Sequence, residues 1–185
     1  RNYGVDHVVF CLEGHSWRKD FYTPYKANRK VKEQDMTEAE VEESKMFWET
    51  YESLIKFLQE KTNVTVLRDP NAEADDCIAR FAALHPDDEH IIISTDTDYL
   101  QLLSESVHMY NGVTRQLITI DGYFDDKGRP VIDKKTKEPK RLEDPQFLLF
   151  EKCMRGDTSD NVFSAYPGVR KKGTQNKTGL LEAYA

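Results

Sequence analysis

Cysteine is scarce and poorly placed for covalent or metal chemistry. Cys11, Cys77 and Cys153 are far apart, odd in number and set among apolar neighbours, which excludes a disulfide framework, a CxxC redox pair and a zinc site. All three are expected to be buried thiols in a reducing compartment. The five histidines show no HxxxH or HExxH spacing, so they read as ordinary structural or surface residues, and any metal would have to be held by oxygen. No apolar run approaches the roughly 20 residues that span a bilayer, which removes membrane roles. Internal repeats and low-complexity segments are absent. The opening "RNYGVDHVVF" has no initiator Met, charged n-region or signal-like apolar segment, so the chain is expected to be a piece of a longer protein that starts just before a strand.

Positive charge is also in deficit, with a net charge of -7 over 185 residues, which at first speaks against a nucleic-acid partner. Binding depends on where the basic groups sit rather than on their sum. They are concentrated in "RKDFYTPYKANRKVK" (18 to 32), "KKTKEPKR" (134 to 141) and "RKK" (170 to 172), whereas much of the acid lies in "EQDMTEAEVEE" (33 to 43) and in residues 73 to 98. The length suits one main domain with a single substantial core.

Three short apolar runs, "HVVFCL" (7 to 12), "VTVL" (64 to 67) and "HIIIS" (90 to 94), suit strands buried on both faces of a parallel sheet. Between the first two, Thr37 and Glu40 offer a capping box for a long amphipathic helix whose Phe47, Tyr51, Leu54, Ile55 and Leu58 share a face. Between the second and third, Asn71 can cap a helix with Ala74, Cys77, Ile78, Phe81 and Ala82 as its buried stripe, ended by His85-Pro86. This alternation predicts an α/β fold. Further on, "VHMY" and "RQLITI" read as shorter strands, and "FDDKGRPVIDKKTKEPKRLEDP" as a hairpin tip and a mobile loop. Asp144-Pro145 then opens a helix that Gly156 closes.

The acids at the edges of these elements exceed what folding needs. Glu73, Asp75 and Asp76 crowd the first turn of a helix, where the macrodipole stabilises each by roughly 0.3 to 1 kcal/mol; from this motif alone a structural and a functional role weigh equally. Asp96 and Asp98 follow the carboxyl end of "IIIS", where open α/β sheets bind ligands, and a capping role accounts for only one of them. "GDTSDN" adds Asp157 and Asp160 within one turn-like loop. Converging anions repel and must be offset by cations, and hard divalent ions held by carboxylate and water, Mg²⁺ or Mn²⁺, meet that need. Two such ions about 4 Å apart would serve phosphodiester hydrolysis. The basic segment supplies the complementary half: Lys26 and Arg29 lie three apart on a predicted helix, with Arg18, Lys19 and Lys30 nearby and Trp17, Phe21, Tyr22 and Tyr25 interleaved, a mixture that grips phosphates and stacks bases.

Taken in order, "SWRKDFYTPYKANR", "EADD", "STDTDYLQL", "RGDTSDN" and "YPGVRKKGT" resemble the motifs of the 5′ nucleases, or flap endonucleases, a family that includes the 5′-nuclease domain of bacterial DNA polymerase I and the phage ribonuclease H enzymes; the phage branch is the nearer. The resemblance implies a PIN-like 5′-nuclease fold with a mainly parallel central sheet flanked by helices, residues 1 to 155 forming the nuclease domain with a helical arch over about 18 to 43, and residues 156 to 185 beginning a helix-three-turn-helix DNA grip. It implies that Glu73, Asp75, Asp76 and Asp96 surround one metal and Asp98, Asp157 and Asp160 a second, that Lys26 and Arg29 reach the scissile phosphate, and that Tyr25 stacks on the substrate end. Arg18, Lys19 and Lys30, with Gly168, Arg170, Lys171, Lys172, Gly173 and Thr174, would hold DNA, although Arg170 stands where the family has glycine. The family's Asp-bearing first strand has no counterpart before Arg1, and Glu13 is the nearest substitute for the Asp that follows its second strand. The implied protein is a Mg²⁺- or Mn²⁺-dependent 5′-to-3′ exonuclease or flap endonuclease with two ions, acting as a cytoplasmic monomer on branched or nicked DNA and RNA–DNA hybrids in replication and repair, including ribonuclease H-type primer removal, with a single-strand-binding protein or clamp as a further partner. Alternatives are a catalytically impaired DNA-binding relative, which the missing Asp favours, and a PIN-type ribonuclease.

Overall fold

The structure, a computed structural model, describes residues 4 to 29 and 36 to 165. Strand β1 (Val9–Leu12) pairs in parallel with β2 (Thr65–Arg68), in the register Val9 to Thr65. They are joined by α1 (Arg18–Phe21) and the 24-residue α2 (Glu38–Lys61). Helix α3 (Ala74–Leu84) packs on β1 and β2 and leads to β3 (His90–Ile93). A 3₁₀ helix over Thr97–Leu102 follows, then β4 (Val107–Asn111), β5 (Gln116–Thr119), β6 (Gly122–Asp125) and α4 (Pro145–Arg155). Strands β3 to β6 form a second sheet in sequence order, with β3 parallel to β4 and the later pairs antiparallel. The α/β architecture is as expected: the first sheet is parallel, and the second adds two antiparallel pairs to a parallel one.

The core lies between this second sheet, the 3₁₀ helix and α4, where Ile92, Tyr99, Leu100, Leu103, Val107, Met109 and Ile118 are buried together. Each such aliphatic side chain contributes about 1.5–3 kcal/mol by leaving water. Among the described residues no helix is long and apolar enough to cross a membrane.

Local signals were followed closely at several ends. Thr37 and Glu40 form the expected capping box at α2. Asp144 accepts from the Gln146 N–H, Pro145 takes the first helical position of α4, and Gly156 closes it at φ 73°. Elsewhere the structure corrects the reading. The N-cap of α3 is Glu73 rather than Asn71, because Glu73 and Asp76 form a capping box of their own. On α2 only Ile55 is fully buried, and Phe47 and Leu54 are exposed. The helix extends about 36 Å, whereas the four-residue β2 it packs on runs about 13 Å, and of the expected face only Tyr51, Ile55 and Leu58 are shielded from solvent. The segment expected to be a mobile loop is a second hairpin: Asp125 accepts from the Lys127 and Arg129 N–H groups, and residues 131 to 140 pair back onto it. Of the cysteines only Cys77 is buried; Cys11 is half-buried and Cys153 exposed.

Candidate active site

The carboxyl end of β1 runs into Glu13-Gly14, and this turn is zipped against residues 70 to 72: Gly14 N–H donates to the Ala72 carbonyl (2.9 Å), His15 to Pro70 (2.9 Å) and Trp17 to Asn71 (3.2 Å). A Cβ on Gly14 would stand 1.9 Å from the Asp69 carbonyl oxygen, so only glycine permits this approach. The contact brings the Glu13 carboxylate to the first turn of α3, where it accepts from the Ala74 N–H (3.2 Å). Beyond β3, Asp96 caps the 3₁₀ helix by accepting from the Asp98 N–H (2.9 Å). After α4, Asp157 closes its own turn by accepting from the Ser159 N–H (2.8 Å), and the Lys26 N–H donates to the Asp160 carbonyl (2.8 Å). Strand ends, one helix start and one loop thus gather the acidic motifs at the sheet edge where α/β folds bind ligands.

Most of these acids meet a cationic side chain. Arg18 grips Asp76 with two nitrogens at 2.7 Å each and reaches Glu73 at 3.0 Å. Lys26 pairs with Glu73 and lies 3.9 Å from Asp160, and Arg29 pairs with Asp160 (2.9 Å). Lys152 bridges Asp98 (2.8 Å) and Asp157 (2.7 Å). Tyr25 donates to Glu73 (2.9 Å) and reaches Asp160 (3.3 Å). The electrostatic result is consistent across the group. Burial would raise the Glu73 carboxyl, but the Lys26 ammonium and the Tyr25 hydroxyl overcome it and hold it below its usual value. The Arg18 hydrogen bonds hold Asp76 low. Burial opposes Asp157 as well, and Lys152 and Ser159 bring it down.

Three acids differ. Glu13, Asp75 and Asp96 have no ion-pair partner among the described residues. The hydroxyl of Tyr99 donates to one of them, Asp75 Oδ1, at 2.5 Å. Burial first, then Asp75, Asp96 and Glu13, push this phenol well above its ordinary value, so it is a donor at neutral pH.

The donor set fits a hard divalent cation in kind, since all eight acids offer oxygen. The ammonium groups of Lys26 and Lys152, each set between two carboxylates, act as stand-in cations and show that the field here favours positive charge. Among the described residues no group of three acids converges closely enough to hold a metal by itself.

The structure brings Glu13, Glu73, Asp75, Asp76, Asp96, Asp98, Asp157 and Asp160 into one region, with Arg18, Tyr25, Lys26 and Arg29 against them. Some of these side chains are placed differently from the expectation. Tyr25 is only 9% exposed, its ring covered rather than open for stacking. Lys26 lies in a turn at φ 54°, not on a helix with Arg29, and its side chain faces Glu73. Such left-handed backbone is strained for a non-glycine residue; the Asp160 carbonyl and Glu73 together hold it. Lys19 is half-buried without an ion pair among the described residues. Lys30, Gly168, Arg170, Lys171, Lys172, Gly173 and Thr174 lie outside the described residues. Sequence reasoning missed Lys152, five residues before Asp157 on the last turn of α4, and Tyr99, directly after Asp98. Their proximity in sequence to acidic motifs was the available signal.

Comparison with known proteins bears on this arrangement. The family model for the 5′–3′ exonuclease N-terminal resolvase-like domain matches residues 1 to 128. DNA polymerase I of Rhizobium leguminosarum is 30% identical over 96% of this chain and 15% of its own length. The flap endonuclease Xni of Shewanella loihica is 29% identical over 96% of this chain and 59% of its own. The chain therefore spans less than two thirds of the length of each of these relatives. The bacteriophage T5 D15 flap endonuclease, solved as a pseudo-enzyme–product complex with DNA and metal ions, superposes with a TM-score of 0.70 at 23% identity, covering 90% of this chain and 57% of that one. At that identity the match shows a shared fold.

Proposed function

Because the chain belongs to the family of 5′–3′ exonucleases that share the N-terminal resolvase-like domain, we propose that the protein is a divalent-metal-dependent, structure-specific 5′ nuclease that hydrolyses phosphodiesters of flap or nicked nucleic acid. The observation that carries this reading is the gathering of eight carboxylates with Arg18, Lys26, Arg29 and Lys152 at the carboxyl ends of β1 and β3.

Glu13, Glu73, Asp75, Asp76 and Asp96 would hold one Mg²⁺ or Mn²⁺, and Asp98, Asp157 and Asp160 a second. Such ions supply Lewis acidity toward a phosphodiester and favour deprotonation of water. The rest of the work falls to the chain. Lys26 and Arg29, paired with Glu73 and Asp160 when alone, become donors to a phosphate once those carboxylates take other cations, and Arg's planar fork suits phosphate oxygens in particular. Arg18 keeps Asp76 and Glu73 in position through two-pronged contact. Residues 18 to 43 act as the arch that admits a 5′ end, residues 1 to 155 as the nuclease domain, and residues 156 to 185 as the start of the duplex grip. The setting we propose is replication and repair in the cytoplasm, with removal of RNA primers as one task.

The test is cleavage of a 5′-flap substrate and of an RNA–DNA hybrid by the full-length protein with Mg²⁺, with Mn²⁺ and with EDTA. Metal-dependent release of 5′ products, abolished in Asp96→Asn, supports the reading. Cleavage that persists in EDTA, or flap binding without any cleavage, overturns it.

A further inference from the structure

The basic segment over 134 to 141 takes no part in the site described above. Residues 127 to 141 carry seven basic side chains and two acidic ones, in a chain of net charge -7. The backbone that presents them is tied down. Val131 N–H donates to the Tyr123 carbonyl (2.8 Å), Tyr123 N–H to the Lys140 carbonyl (3.2 Å) and Lys140 N–H to the Val131 carbonyl (2.7 Å), so both arms of this hairpin are anchored at β6. At its tip the Asp133 N–H donates to the Glu138 carbonyl (2.8 Å), and the Asp133 carboxylate accepts from the Lys135 N–H (2.8 Å) and the Thr136 N–H (2.9 Å). That acid builds the turn. Asp125 and Asp126 are taken up by Arg129 (2.7 Å) and Arg115 (2.8 Å), and the Lys140 ammonium lies over the Tyr123 ring, 3.7 Å from its centre. Lys134, Lys135 and Lys137 remain exposed, with no ion pair among the described residues. Three like charges held on one turn repel one another, and an anionic partner relieves that repulsion.

The position of the tip favours a long, regular anion. Its arms lie one strand beyond β6 in a sheet that begins at β3, so four strand spacings, about 19 Å, separate them from the strand that delivers Asp96. That is about six steps along one strand of a duplex. We propose that Lys134, Lys135 and Lys137 hold the phosphate backbone of the duplex arm of a branched nucleic acid, apart from both the carboxylate site and residues 156 to 185. The proposal rests on the nucleic-acid reading of the protein and involves no metal ion. Lysines on flexible stems act as point charges toward phosphate and position a duplex without reading its sequence.

Binding of 5′-flap duplexes of unrelated sequence is measured by fluorescence anisotropy in EDTA, from about 50 to 200 mM salt. Three full-length proteins are compared: the wild type, a tip variant carrying Lys134→Gln, Lys135→Gln and Lys137→Gln, and a charge-matched variant carrying Lys45→Gln, Lys56→Gln and Lys61→Gln on α2. Each phosphate contact contributes about 0.9 to the slope of log affinity against log salt. The tip variant should therefore lose about 2 to 3 from that slope and bind more than about 10-fold more weakly at the lowest salt, for every sequence alike. The α2 variant should keep the wild-type slope. Because only backbone groups of the three lysines build the turn, the tip variant should melt with the wild type. Equal slopes for wild type and tip variant overturn the proposal and leave the tip to an acidic protein surface. An equal fall in both variants overturns it too, since overall charge alone would then explain the loss. A wild type that binds no flap duplex at any salt fails the nucleic-acid reading itself, a result distinct from equal slopes.

Discussion

Replacing Lys26 by alanine should separate a residue that holds the site together from one that only lies near it. The Lys26 side chain is 12% exposed and that of Glu73 is 5%, so truncation removes a charged hydrogen bond from a buried carboxylate. A buried charge left without any partner costs about 3–5 kcal/mol. Here Arg18 (3.0 Å) and Tyr25 (2.9 Å) still donate to Glu73, so the loss should be nearer that of one hydrogen bond to a charged group, about 1.5–3 kcal/mol. At roughly 2–4 °C per kcal/mol for a chain of this size, the melting temperature should fall by about 3–12 °C. Arg29 likewise pairs with a carboxylate, that of Asp160, but its side chain is 59% exposed. Exposed pairs contribute about 0–1 kcal/mol, so Arg29→Ala should melt close to wild type. Melts are followed by circular dichroism at pH 7 in EDTA, so that no metal replaces the missing ammonium. Glu73→Gln added to Lys26→Ala should recover part of the loss, because the stranded charge is gone. Equal melts for wild type and Lys26→Ala, or an equal fall for Arg29→Ala, would refute the argument.

Asp96→Asn should reduce flap cleavage by orders of magnitude while leaving the melting temperature unchanged or slightly higher, since it removes one of three acids that share no cation; a matched fall in both would assign Asp96 to the fold. Stability should decline on acidification: Glu73, Asp76 and Asp157 all lie below their ordinary values in the folded chain, so their contribution is complete above about pH 4, where the unfolded carboxylates ionise, and is lost as pH falls further toward the folded values. Melting temperatures measured from pH 7 to 2.5 should be flat to about pH 5 and then drop, and a flat profile to pH 3 would contradict the ion-pair network. Gly156→Ala should destabilise by more than about 1 kcal/mol in urea unfolding, because the glycine lies at φ 73° and an added Cβ would stand 2.5 Å from the Val162 carbonyl oxygen; an unchanged midpoint would show that the turn before Asp157 relaxes freely.

What could be seen in the sequence was whatever is decided within a few residues. The Thr37–Glu40 box, the Asp144-Pro145 start and the Gly156 stop are contacts across four positions or fewer, and each occurs as expected. The capping of α3 failed at the same range because two capping solutions were available: Asn71 has the residue type that helix starts favour, but the Glu73–Asp76 reciprocal bonds satisfy two orphan N–H groups at once. The acidic residues were visible by type and spacing. Which cation meets which acid was not, since Arg18 reaches residues 55 and 58 positions away and Arg29 one 131 positions away.

That long-range pairing changes what the abundance of acid means. Eight anions gathered in this way would destabilise any fold that left them unopposed, and a chain with net charge -7 has no surplus of cations to offer. The structure opposes five of them with only four basic side chains, three of which, Arg18, Lys26 and Lys152, each contact a pair of acids. Sharing in this way is economical but incomplete, and it leaves the deficit at Glu13, Asp75 and Asp96. The unopposed charge therefore lies on Glu13 after β1, Asp75 on the first turn of α3 and Asp96 after β3. On the metal-dependent reading proposed above, a dication approaching these acids need not displace an ammonium or guanidinium, whereas one entering between Asp98 and Asp157 would have to displace Lys152. If two ions bind, as proposed, they should fill in order: a first Mn²⁺ that leaves the Lys152 contacts intact, and a second, weaker one whose affinity rises in Lys152→Met. Titrations of wild type and that variant test this directly, and a variant whose two affinities both match wild type would show that Lys152 does not compete for the site.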